Sequence, residues 1–134
     1  MAVGVARVVR GEAPQVVASA MVAAACRQSP RTGAMMAQAL EEALDGTPPE
    51  VTLKRLEGWA AHEAVAAAVY LFMRHPDDIR AAILEGATSP GDSDSLATLA
   101  GALVGARRGL GAIPEDWIHG VERSRALMAL GARI

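Results

Sequence analysis

Ala97, Gly101, Gly105 and Gly109 recur every four residues, so they fall along one face of a helix. An interior Gly costs a helix about 0.8–1 kcal/mol relative to Ala, so Gly101 and Gly105 together cost roughly 2 kcal/mol. A plain surface helix has no reason to bear that penalty. A face stripped of side chains lets another backbone, or a ligand, come very close. The segment therefore demands a close neighbour.

Every other long segment also reads at helical period, and none alternates at period two. The expected fold is all-α: a compact helical bundle forming a single domain over residues 1–134. Helices are expected over 2–10, from Pro14 to about Arg27, and from Thr32 or Gly33 to Leu44. Further helices follow over about 60–73, up to about Glu85, and up to about Leu110, then a Pro114-led turn of helix and a final helix over 124–132. Pro30 lies inside an expected break at 28–31, and Asp45-Gly46-Thr47-Pro48-Pro49 stops the preceding helix. A short turn is expected at 53–56.

Hydrophobic residues make up 51% of the chain, yet only Trp59, Tyr70, Phe72 and Trp117 are aromatic. The core must therefore be built from Ala, Val, Leu and Met. The stretches 16–26 and 64–73 are apolar on most sides, which places both helices centrally and invites self-association or a covering partner. Both are too short to cross a bilayer, and no charged leader precedes an apolar stretch, so a cytoplasmic protein without membrane attachment is expected. A net charge of −2 without runs of one sign argues against nucleic acid as a partner. Cys26, the one cysteine, is expected to be a small core residue.

Gly91-Asp92-Ser93-Asp94-Ser95 precedes the small-residue helix. Asp and Ser are favoured N-caps and suit the positive end of the helix dipole. Two carboxylates on one turn, with a hydroxyl beside them, also suit a hard cation such as Mg²⁺, Mn²⁺ or Ca²⁺. Other acidic motifs fail on context. No apolar strand precedes Asp92, and an EF-hand loop would need an oxygen ligand and a Gly where Leu96 and Ala97 stand.

The segment continues Ala100-Gly101-Ala102-Leu103-Val104-Gly105-Ala106 and then Gly109-Leu110-Gly111-Ala112-Ile113-Pro114-Glu115-Asp116-Trp117. Upstream stand Gly58-Trp59-Ala60-Ala61-His62-Glu63-Ala64 and His75-Pro76-Asp77-Asp78. Jointly these resemble the C-terminal half of the ADP-ribosylglycohydrolases, from about Leu56 to Trp117. The resemblance implies the corresponding half of that helical fold. It also implies metal-dependent hydrolysis of the bond joining ADP-ribose to a protein side chain or related acceptor.

On that resemblance Asp92, Asp94 and Ser95 are metal ligands for Mg²⁺ or Mn²⁺, Gly91 and Ser93 shape the substrate-binding loop, and Glu63 lies in the shell behind it. The family's N-terminal metal-binding segments have no counterpart here. The implied partners are therefore an ADP-ribosylated protein or small ADP-ribose derivative, and a second polypeptide or a second copy. The alternative is a catalytically inactive helical interaction module that binds a partner protein or ADP-ribose.

The remaining candidates have plainer readings. His62-Glu63 lacks the second His four residues on that a zincin needs, because Ala66 stands there. Trp59 and Trp117 read as packing residues, and Arg107-Arg108 as cations meeting a helix C-terminus. Ser93 and Ser95 have no His base at readable spacing.

Overall fold

A computed structural model describes residues 1–133. The described residues form α1 (Ala2–Val9), α2 (Pro14–Gln28), α3 (Pro30–Leu44), α4 (Pro49–Arg55), α5 (Ala61–Arg74), α6 (Ile79–Ala87), α7 (Ser93–Arg108), α8 (Glu115–Gly120) and α9 (Ser124–Gly131), with a 3₁₀ turn at Leu110–Ala112. No strand occurs among them. The all-α expectation holds.

Prolines set several of the boundaries, though not as expected. Pro30 opens α3 instead of lying in a break, and Pro49 opens α4, a helix the sequence reading missed. A first-turn proline forgoes an amide that has no intrahelical partner there, so it starts a helix as readily as it ends one. Ser29 is the only residue between α2 and α3. Its Oγ accepts the Thr32 amide at 3.3 Å and the Thr32 hydroxyl at 3.0 Å.

α5 is the central element, packed chiefly between α3 and α7, with α2 and α6 also against it. Ala66 to Phe72 are fully buried, and Tyr70 and Phe72 are the largest side chains of the core. Burying a Phe contributes about 1.5–3 kcal/mol. The Tyr70 hydroxyl donates to the Thr47 carbonyl at 2.6 Å, so the one polar atom on that ring is satisfied and ties α5 to the loop before α4. α2, by contrast, is peripheral. It buries only Val17, Ala18 and Met21, while Val16 is exposed. Cys26 is likewise exposed, contrary to expectation. It sits where α2 crosses α3 so closely that a Cβ on Gly33 would stand 2.7 Å from the Cys26 Cα.

The small-residue stripe of α7 faces α6. A Cβ on Gly86 would lie 2.9 Å from both the Ala97 Cα and N, Gly101 rests on Ile83, and Gly105 meets Ile79. Residue numbers fall along α6 as they rise along α7, so the two helices run antiparallel. Close packing of α6, by backbone at Ala97 and by Ile83 and Ile79 at Gly101 and Gly105, accounts for these three stripe residues, while Gly109 meets open space. Arg107 does more than meet a helix end: it bonds the Asp77 carboxylate at 3.0 Å and the Glu12 carbonyl at 3.3 Å, clamping the end of α7 to two turns. Asp78 caps α6 through the Ala81 amide at 2.9 Å, as its position suggests. α8 and α9 bury no residue completely, and Trp117 is half-buried with the Arg80 guanidinium 5.5 Å from its ring centre.

Glu42 gathers α3 and α4. It accepts from the Thr52 hydroxyl and Arg55 guanidinium, each at 2.7 Å, and from the Gln38 amide at 2.9 Å. Burial alone pushes its pKa up, but the hydrogen bonds from Arg55, Thr52 and Gln38 and the Arg55 charge outweigh it, and the net direction is down.

Three outcomes are expected. Gly86→Ala forces backbone against backbone and should lower stability by about 2 kcal/mol in urea denaturation. Gly131→Ala meets open space and should change it by less than about 0.5 kcal/mol. Because the folded pKa of Glu42 lies below the ordinary 4.5, its stabilisation is fully present above that pH and lost as pH falls through the folded value. Glu42→Gln should therefore cost about 1–2 kcal/mol at pH 7 in thermal melts, with the gap to wild type narrowing as pH falls below 4.5.

Candidate functional site

The acidic loop is held from behind by the turn between α4 and α5. The Asp92 amide donates to the Glu57 carbonyl at 2.7 Å. Gly91 has φ +82°, and a Cβ there would collide with the same carbonyl and stand 2.6 Å from the Glu57 Cβ. Only glycine satisfies both the backbone angle and the contact. Beneath the turn, Leu96 is wholly buried, and any side chain on Gly58 (φ +84°) would run into it. The Ser93 amide closes onto the Gly91 carbonyl at 3.0 Å, and the Leu96 amide reaches the Asp92 carbonyl at 3.2 Å to begin α7.

Asp92 thus occupies the N-cap position, but its carboxylate makes no capping hydrogen bond. The exposed Asp94 accepts the adjacent Ser95 amide at 2.8 Å and has the Asp92 carboxyl as its neighbour. The neighbouring Asp92 carboxyl, followed by the Ser95 amide, holds the Asp94 carboxyl below the usual carboxylate range. Two carboxyls this close repel when both are charged, and a proton or a cation between them relieves it. The cap reading therefore leaves Asp92 without a task.

Asp92, Asp94 and Ser95 line one side of a depression of about 370 Å³, with Thr98 and Leu99 behind them. Gly58, Trp59, Ala61, Ala64 and Val65 form the other side. The donors are hard oxygens, as Mg²⁺ or Mn²⁺ prefers, but three of them fall short of the roughly six that Mg²⁺ takes. Among the described residues no group of three His, Cys, Asp or Glu side chains could hold a metal ion. The residues present fit part of a coordination shell.

The sequence candidates Gly91, Asp92, Ser93, Asp94 and Ser95 are thus brought together on one loop. Glu63 is directed elsewhere: its carboxylate accepts the Ala60 amide at 3.1 Å and closes the first turn of α5. His62 has an Nε2 shut off from solvent and without a hydrogen-bonding partner among the described residues. Trp59 is the residue that sequence reasoning misjudged. It is 70% exposed at the rim of the depression, and its indole N–H donates to the Glu57 carboxylate at 3.2 Å. The sequence signal was Gly58, whose turn carries the ring outward.

No helix of the described residues is long and apolar enough to cross a membrane. No solved structure is significantly similar to the chain. The ADP-ribosylhydrolase ARH3 of Mus musculus is 34% identical over 83 residues, covering 54% of this chain and 22% of that protein. The ARH3 of Homo sapiens is 34% identical over 86 residues, covering 57% of this chain and 24% of that protein. The matched stretch thus spans less than a quarter of either relative. The family description of the ADP-ribosylglycohydrolases matches residues 1–134. With that match and the helical architecture, this chain belongs to the ADP-ribosylglycohydrolase family.

Proposed function

We propose that this chain contributes the Asp92–Asp94–Ser95 part of a divalent-metal site that hydrolyses the glycosidic bond between ADP-ribose and a protein side chain or related acceptor. The observation that carries the reading is the Asp92 carboxylate, free of any capping bond and lining the depression together with Asp94 and Ser95. Asp92, Asp94 and Ser95 would hold Mg²⁺ or Mn²⁺. A divalent ion supplies Lewis-acid polarisation and a template for ribose hydroxyls. Gly91 and Ser93 fix the loop that faces the substrate, and Glu63 acts from behind by closing the turn that carries Ala61 and Ala64 into the wall. The remaining metal ligands come from a further polypeptide segment or a second copy.

The three-donor count favours one other reading, a helical module that binds ADP-ribose or a partner protein without hydrolysing anything. The two differ in outcome. Mg²⁺ or Mn²⁺ at ten times its Kd should stabilise the wild-type assembly by about 1.4 kcal/mol, raising Tm by roughly 5 °C. Asp92→Asn should melt within about 0.5 kcal/mol of wild type without metal, since the Asp92 carboxylate makes no capping bond to lose, and should show no metal response. The complete assembly should release ADP-ribose from an ADP-ribosylated protein, and Asp92→Asn should not. Equal metal responses in wild type and variant would sink the metal assignment. Binding of ADP-ribose without release would establish the module.

A further inference from the structure

Glu57 touches the acidic loop and the exposed ring at once. Its carbonyl accepts the Asp92 amide at 2.7 Å, and its carboxylate accepts the Trp59 indole N–H at 3.2 Å. Gly58, at φ +84°, makes the turn that lets residue 59 fold back onto the side chain of residue 57. Trp59 is 70% exposed, yet it is tethered at its only polar atom. A large ring left in water keeps its apolar face available, and a ring already immobilised loses less entropy when a ligand meets it.

We propose that Glu57 is a positioning residue: its carboxylate holds the Trp59 indole as a fixed apolar wall of the depression beside Asp92 and Asp94, against which the flat or apolar face of an ADP-ribose ligand rests. The inference rests on the ADP-ribose reading of this site. Glu57 serves the loop through its backbone and the ring through its side chain, so the two roles separate by substitution. Every variant at residue 57 keeps the carbonyl that anchors Asp92. Only the carboxylate is removed.

The test titrates the chain, with any partner that accompanies it, with ADP-ribose in Mg²⁺ by calorimetry, and follows tryptophan anisotropy decay in parallel. Glu57→Ala should weaken ADP-ribose about three- to tenfold and speed the indole motion, whereas Glu57→Gln, which retains an acceptor, should stay within about twofold of wild type. Trp59→Phe keeps an apolar face but cannot donate, so adding Glu57→Ala to it should cost nothing further. Additive losses in the double variant, or unchanged affinity or unchanged indole motion in Glu57→Ala, would overturn the positioning role and leave the hydrolase reading intact. A wild-type chain that binds no ADP-ribose overturns that reading, and this inference with it.

Discussion

Ala66 to Phe72, seven consecutive residues of α5, have no contact with solvent. Seven residues make almost two turns, so α5 must be covered in every direction around its axis. Most helices in a small protein satisfy only one face. Here α3 and α7 take the two main sides, and α2 and α6 fill between them. Alanines at 64, 66, 67 and 68 keep α5 slender enough for its neighbours to reach it, while Tyr70 and Phe72 supply bulk at the far end.

The acidic loop inherits its position from this arrangement. α5 begins where the turn at Glu57 and Gly58 ends, and that turn holds Gly91 and Asp92 by a carbonyl and a contact that only glycine tolerates. α7 then runs from the loop along α5, fixed on its other side by Gly86 and Ile83 of α6. The loop is consequently rigid at its base and open at its carboxylates, which face a depression instead of capping their own helix. A preorganised oxygen pair at an open surface suits coordination completed from outside.

Much of this was legible in the residues themselves. The helical period of every long segment and the close neighbour demanded by the stripe of Gly101 and Gly105 follow from local rules, because periodicity and backbone cost act within a turn or two. The clustering of Gly91 to Ser95 is legible for the same reason, since five adjacent residues cannot be far apart. Pro30 and Pro49 misled because a proline at a boundary marks an end or a beginning equally well.

What the sequence by itself determined was therefore the all-helical class, the register of the small residues and the identity of the acidic loop. Tertiary structure alone decided that α6 packs on the stripe of α7 at Ala97, Gly101 and Gly105. It alone decided that α5 and not α2 lies at the centre, that Cys26 and Trp59 face solvent, and that Glu63 closes its own helix. Apolar character says that a residue can be buried, but burial depends on which helices have room to approach it. That room is set by pairs distant in the chain, such as Gly33 with Cys26, Gly86 with Ala97 and Gly91 with Glu57.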